Sequence, residues 1–335
     1  MSTAAHRQVR VHESSQPSEA RSVARELAQS AGLDETDAYR ASIVASELAT
    51  NLTKYATDGE LLLRTIGDGD AKGVEVLSID RGPGLPDVGL AMRDGHSTGG
   101  SAGTGLGAVR RLSEEFDIAT GPRGTIVLSR VHAGRRAAAA TPFVVGAVSV
   151  AVACEEPCGD SWAVRRHGRL VNALVVDGLG HGVFAAEAAR AAVDTWTSDR
   201  FPGIPDALAG IHDGLKHTRG AAAAIVEIDP DARVLRFGGV GNIAASIVPP
   251  SGRPRQAVSH NGTLGHQARV FREFQYPWDG DNLVVVHSDG LTSHWSLDAY
   301  PGLARRHPAI VAGVLYRDFS RGRDDVTVLV CREGA

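Results

Sequence analysis

The runs VEVLSID (74–80), NALVVDG (172–178) and NLVVVHSDG (282–290) are short stretches of strand-forming, mostly apolar residues, each delivering an aspartate at its end. Runs of this length and composition form buried strands. The chain must therefore build sheets whose strand ends carry Asp80, Asp177 and Asp289 into loops. An aspartate followed by glycine at such an exit suits an ordinary turn, a phosphate cradle or a metal site. The remainder of the chain has to decide between these.

The strands occur in two different settings. In the first, residues 17–31 have helical spacing closed by Gly32, and Asp34 starts a longer helix through about Ala56. LLLRTIG and VEVLSID follow as strands, a glycine-rich loop covers residues 94–107, GAVRRLSEEF continues as a helix, and FDIAT and GTIVLSRV are strands. HAGRRAAAAT, residues 132–141, has no apolar period and reads as a linker. Beyond it the chain is richer in strands: FVVGAVSVAVA, SWAVRR and RLVNALVV about a His167-Gly168 turn, the hairpin AAAAIVEI–RVLRFG, NLVVVHS and DVTVLVC, with a helix from Gly182 to Trp196. A length of 335 residues favours two domains, placed at 1–131 and 142–335, and the fold class is α/β (α+β).

Composition removes several function classes. With 43% hydrophobic and 22% charged residues the chain is globular, and a net charge of −4 gives no reason to expect a nucleic-acid surface. The uncharged segment AAAATPFVVGAVSVAVAC (137–154) barely reaches the roughly 18 apolar residues of a membrane span. It is alanine-heavy and carries Thr141-Pro142 and Gly146, so it reads as linker followed by strand, with no membrane expected. The polar N-terminus carries no secretory signal. Cys154 and Cys158 have no second pair or histidine cluster to complete a zinc site, and Cys331 stands alone. Reduced thiols in a cytoplasmic protein are expected.

The first half holds three modest signals. On the helix starting at Asp34, at about 100° per residue, Ile43, Val44, Leu48, Leu52 and Tyr55 spread over an arc of about 180°, with Glu47 and Asn51 falling inside it. A carboxylate and an amide on a core-facing side are either a satisfied buried pair or a site in use. The strand VEVLSID then delivers Asp80-x-Gly82-x-Gly84, whose glycines let backbone approach a flat ligand, although turns use the same residues. Finally, Gly103-x-Gly105-x-Gly107 runs straight into a helix whose amides could hold phosphate oxygens, unless the stretch is a flexible linker. No lysine follows, so it is not a P-loop, and no strand directly precedes it, so it is not a Rossmann turn.

In their order and spacing these signals resemble the N, G1 and G2 boxes of the GHKL ATP-binding superfamily. ELATNLTKYA, DRGPGLPD and GTGLGAVRRLSEEFDIAT are similar to the serine kinases of the RsbT and RsbW group, over roughly residues 10–131. The resemblance implies a GHKL-type α/β sandwich that binds ATP. Asn51 would help bind Mg²⁺, Asp80 the adenine amino group, and the glycines of the third box the phosphates. Gly124-Thr125 would close the pocket. Glu47 would be the general base for a substrate hydroxyl. A dimerisation helix with a phospho-acceptor histidine is missing, against a two-component histidine kinase.

The second half places Asp160 in CGDSW just before a strand, Asp177-Gly178 and Asp289-Gly290 after strands, and Asp324-Asp325 before DVTVLVC. Acidic points at strand ends can converge on one edge of a β core, and clustered carboxylates call for divalent cations. All-oxygen ligands favour Mg²⁺ or Mn²⁺ over zinc. With Gly241-Asn242, the set resembles the metal-dependent type 2C phosphatases, and within them the SpoIIE and RsbX branch, over residues 142–333. That implies a β-sandwich flanked by helices, with Asp177 bridging two metals and the Gly178 carbonyl, Asp160, Asp289 and Asp324 completing the site. Asp325 stands where many relatives have asparagine. His181 could be a general acid or could cap and pack the following helix, and His287 reads as a core histidine.

Together the resemblances imply a serine/threonine kinase fused to a phosphoserine/phosphothreonine phosphatase in a stress-response partner switch. Both would act on STAS-domain proteins, with the oligomeric state open. The alternative is a phosphatase regulated by a non-catalytic ATP-sensing or anti-sigma binding domain.

Overall fold

The computed structural model describes residues 5–67, 72–92, 105–135, 142–152, 157–198, 201–251 and 253–334. The first half runs β1 (Arg7–Val11), α1 (Gln16–Ser30), α2 (Glu35–Tyr55), β2 (Gly59–Ile66), β3 (Gly73–Ile79), α3 (Val88–Ala91), α4 (Gly105–Leu112), β4 (Glu115–Gly121) and β5 (Gly124–His132). Its strands form one antiparallel sheet in the order β1-β2-β3-β5-β4. Asp34 caps α2 by accepting the Asp37 amide at 2.8 Å, and Gly32 ends α1 with φ +70. The small apolar residues of α1 and α2 pack on one face of this sheet against Leu61, Leu63, Val74, Val76 and Val127.

Two elements differ from the sequence reading. RQVRV in the polar leader is the edge strand β1, burying Val9 and Val11 beside β2. The helix expected through Phe116 stops at Leu112. Buried Arg40 takes the Leu112 carbonyl at 2.7 Å and pairs with Glu114, and the Glu114 amide turns to the Arg130 carbonyl at 3.0 Å. Capping from a residue far upstream ends the helix where local propensity would continue it.

The second half runs β6 (Phe143–Val150), β7 (Asp160–His167), β8 (Leu170–Gly178), α5 (Val183–Ser198), α6 (Ile204–Gly214), β9 (Ala221–Asp229), β10 (Val234–Val240), β11 (Ala244–Val248), β12 (Arg255–Ala257), β13 (Phe274–Pro277), β14 (Leu283–His287), α7 (Pro308–Phe319) and β15 (Val326–Glu333). Two antiparallel sheets, β13-β10-β9-β8-β7 and β12-β11-β14-β15-β6, face each other. Phe143, Trp162, Phe237, Trp278 and Leu329 lie in the core between them. Helices α5 and α6 cover the outer face of the first of these sheets. FVVGAVSV is thus a largely buried strand at the end of its sheet, and no described helix is long and apolar enough to cross a membrane.

Helix α7 covers the outer face of the other sheet, and the far face of the N-terminal sheet closes over it. Leu62, Leu77, Ile79, Ile126 and Leu128 share one core with Ile310, Val311, Val314, Val328 and Val330. Gly146 permits the approach on one side, since a Cβ there would stand 1.9 Å from the Ala309 nitrogen. The seam also holds charge: fully buried Glu75 accepts Arg64 at 2.6 Å and Arg130 at 2.7 Å. Although burial opposes its charge, Arg64 and Arg130 hold the Glu75 carboxyl well below the usual range.

Candidate functional site

In the first half the boxes meet beside the end of α2. The buried face of α2 is formed by Ala41, Val44, Ala45, Leu48, Ala49 and Leu52, while Tyr55 is exposed. Glu47 and Asn51 therefore lie half-buried at the margin of the apolar face, not inside it as the helical arc suggested. Gly105, at the start of α4, packs on Asn51: a Cβ there would stand 3.2 Å from Oδ1. Gly107, two residues further on, is buried, and Gly103 lies outside the described residues.

Asp80 leaves β3 with its carboxylate accepting the Gly82 amide at 2.6 Å, while its own amide donates to the Thr125 carbonyl at 3.0 Å. Burial raises the Asp80 pKa. Gly124 has φ +117 and passes so close that a Cβ would be 2.0 Å from the Asp80 carbonyl oxygen. Only glycine fits there. Thr125 is buried and meets Thr120 at 3.0 Å, and Thr120 Oγ1 in turn accepts the Leu85 amide at 2.7 Å, tying down the loop after Gly84. A Cβ on Gly82 would stand 3.2 Å from the Tyr55 carbonyl oxygen, so the Asp80 loop lies at the same end of α2 as the Asn51–Gly105 contact. Among the described residues nothing hydrogen-bonds or ion-pairs with Glu47.

In the second half Asp160 and Asp177 are direct partners across the β7–β8 ladder. Asp160 is buried and accepts Ser288 Oγ at 2.6 Å; the same oxygen accepts the Thr327 amide at 2.9 Å. Asn242 joins two of the other acids, donating to Asp289 at 2.8 Å and bonding the Asp177 side chain. From the sequence Gly241-Asn242 carries only a resemblance; the part Asn242 plays is visible only in the fold. Asp325 is spent on the framework, its two oxygens accepting the Val152 and Gly159 amides at 2.7 Å each. Asp324, by contrast, is exposed at the rim. Gly178 is the close-approach position of this site, because a Cβ would meet the Ala185 carbonyl oxygen at 2.1 Å.

The acids sense one another. Burial, then Asp289 and Asp324, push Asp177 up to about 7. Burial, then Asp177, push Asp160 well above the carboxylate range, and burial with Asp289 and Asp325 raises Asp324. Among the described residues no three acids stand as a ready ligand set around one ion. Ser288 and Asn242 instead hold them in hydrogen bonds at a separation where they still repel. An all-oxygen, mutually repelling carboxylate cluster fits a hard divalent cation such as Mg²⁺ or Mn²⁺. His181 is exposed and close enough to Asp324 to favour its charge. His287 is buried between the Ser288 carbonyl at 2.8 Å and Trp295 Nε1 at 3.1 Å, a core histidine.

Fold and sites together define a histidine kinase-like ATPase domain joined to a SpoIIE-type phosphatase domain. The histidine kinase-like ATPase domain family matches residues 12–130, and the stage II sporulation protein E (SpoIIE) family matches residues 167–333. The serine/threonine-protein kinase RsbT of Bacillus subtilis (strain 168) is 38% identical over 99 residues, 30% of this chain and 74% of RsbT. The phosphoserine phosphatase RsbX of the same organism is 25% identical over 134 residues, 40% of this chain and 67% of RsbX. A solved structure described as "The bacterial stressosome: a modular system that has been adapted to control secondary messenger signaling" aligns with a TM-score of 0.54 and 28% identity, covering 57% of this chain and 99% of its own. The chain belongs to this partner-switching family, with an RsbT-like domain and an RsbX-like type 2C serine/threonine phosphatase domain in one polypeptide.

Proposed function

We propose that the chain both adds and removes phosphate on a serine or threonine of a STAS-domain partner. The observation that carries this reading is that one chain holds both Glu47, on the helix where Asn51, Gly105 and the Asp80 loop meet, and the Asp160–Asp177–Asp289–Asp324 cluster. In the first site Glu47 takes the proton of the substrate hydroxyl. Asn51 would hold Mg²⁺, Asp80 the adenine amino group, and the α4 amides with Gly103, Gly105 and Gly107 the phosphates of ATP. In the second site Asp160, Asp177, the Gly178 carbonyl, Asp289 and Asp324 would hold Mg²⁺ or Mn²⁺. Bound there, the metal supplies charge neutralisation and an activated water. Ser288 and Asn242 orient the acids, and Asp325 braces the loop that carries Asp324. Incubating the chain with labelled ATP and a STAS-domain protein should transfer label, and Glu47→Ala should abolish it. ATP binding without transfer would refute the kinase half of the reading.

A second reading, nucleotide control of the phosphatase, is favoured by one connection. Arg317 near the end of α7 donates to the Asp80 carbonyl at 3.3 Å, and Arg81 bonds the Arg317 carbonyl and pairs with Asp318 at 3.6 Å. Immediately beyond, the Phe319 carbonyl accepts the Thr292 amide at 3.0 Å and the Arg321 amide reaches the Gly290 carbonyl at 2.8 Å. A few residues thus join the Asp80 loop to the backbone next to Asp289. On this reading ATP changes phosphatase turnover in the native chain and not in Arg317→Ala.

A further inference from the structure

Outside the acid cluster, the rim of the phosphatase site carries a cation with no acidic partner among the described residues. Arg219 ends the segment before β9, and its neighbour Gly220 accepts the Leu179 amide at 3.0 Å. That bond fixes the Arg219 backbone against the loop that follows Asp177 and Gly178. The guanidinium lies over the Phe184 ring, 4.8 Å from its centroid, and a Cβ on Gly180 would stand 3.4 Å from its Nη1. Gly180 follows Gly178 by two residues, at most about 7 Å of chain. Phe184 itself is 59% exposed, and Leu179 and Val183 beside it are 54% and 63% exposed. An exposed phenylalanine at a helix start buries little of its own surface. Its described polar partner is the guanidinium, and stacking restricts where that fork can point.

We propose that Arg219 is a substrate-binding residue of the phosphatase site, its guanidinium fork receiving the outer oxygens of the phosphoryl group, with Phe184 as its positioning residue. The inference rests on the type 2C phosphatase reading of the Asp177 site. A phosphomonoester brings about two negative charges at neutral pH. The acid side chains offer the phosphoryl oxygens no hydrogen-bond donor, so a guanidinium beside the loop after Gly178 supplies donors where the acids cannot. Guanidinium matches phosphate oxygens in paired hydrogen bonds and keeps its charge at every working pH. The apolar lip of Leu179, Val183 and Phe184 suits a phosphate carried on a protein surface rather than a free small ester.

The test compares the native chain, Arg219→Ala, Arg219→Lys and Phe184→Leu in Mn²⁺, using p-nitrophenyl phosphate, a phosphoserine peptide and inorganic phosphate as inhibitor. Arg219→Ala should raise KM and the phosphate inhibition constant roughly 10- to 100-fold, as for loss of a charge-assisted hydrogen bond. Arg219→Lys should fall between it and the native chain. Phe184→Leu should raise KM for the peptide while sparing kcat. The Mn²⁺ activation midpoint should be unchanged in all of them, which separates phosphate binding from damage to the acid cluster. Arg169→Ala, exposed in the turn at the opposite end of the same sheet, should behave as native. If Arg219→Ala, folded by circular dichroism, keeps native KM and phosphate inhibition, the assignment is wrong and the phosphatase reading stands. A native chain inert in both Mn²⁺ and Mg²⁺ overturns the reading and the assignment with it.

Discussion

Asp160 and Asp177 face each other across the β7–β8 ladder, and their charges cannot both be carried there without a partner. Burial, Asp289 and Asp324 push Asp177 up to about 7, whereas in an unfolded chain an aspartate titrates near about 3.9. A folded pKa above the unfolded one means the native state holds the proton more tightly. Its stabilising contribution is full below the unfolded pKa and is lost as pH rises through about 7. Without divalent cations the chain should therefore melt at lower temperature at pH 8 than at pH 5. Mg²⁺ or Mn²⁺, binding the ionised acids, should raise the melting temperature more at pH 8 than at pH 5. Asp177→Asn should flatten that difference. Equal metal-induced shifts at the two pH values, by thermal denaturation, would contradict this account of the cluster.

Helix α7 is the element on which both halves depend. It packs against β6 and β15 on one side and β3 and β5 on the other, so it has no wide polar face. Gly146 sits under its first turn, where a Cβ would strike the Ala309 backbone nitrogen at 1.9 Å. Gly313 faces Leu77, where a Cβ would touch a side-chain methyl at 3.0 Å. Backbone cannot yield as a side chain can, so Gly146→Ala should cost about 1–3 kcal/mol or more and Gly313→Ala less. Denaturant unfolding of the two variants checks the order. The same burial explains why this helix escaped the sequence reading. PAIVAGVLYRDF is apolar nearly all round, and a short apolar run without a stripe does not separate helix from strand. The strand β1 was hidden for the opposite reason, since five alternating residues in a polar leader give too few periods. Elements with a clear face or cap, such as α2 behind Asp34 and β8 before Asp177, were legible because their period and punctuation agree.

At the scale of the whole molecule, six layers stack from α1 and α2 through the first sheet, α7 and the two facing sheets to α5 and α6. The cluster formed by Leu62, Leu77 and Ile126 with α7 and β15 belongs to both halves. One cooperative unfolding transition is therefore expected by calorimetry, and two resolved transitions would contradict a shared core. Glu75→Ala would leave Arg64 buried at the seam without its carboxylate and Arg130 with Glu115 alone, a loss of about 3–5 kcal/mol. The candidate acids could be named from the chain alone because Asp177 and Asp289 close their strands and Asp160 and Asp324 stand at the start of theirs. The contacts that orient and connect the sites could not. Arg317 reaches Asp80 across 237 residues, and Arg219 reaches the Asp177 loop only because Gly220 bonds Leu179. Such pairs exist only in the folded topology.

The central claim is that one site removes the phosphate the other adds, and a chase experiment tests it directly. A STAS-domain protein is labelled from ATP by the Asp177→Asn chain, freed of nucleotide, and then given native chain with Mn²⁺. Release of the label as inorganic phosphate is the expected result, with none released by Asp177→Asn. Label that persists while the same native chain hydrolyses p-nitrophenyl phosphate would contradict the claim and leave two activities with separate substrates.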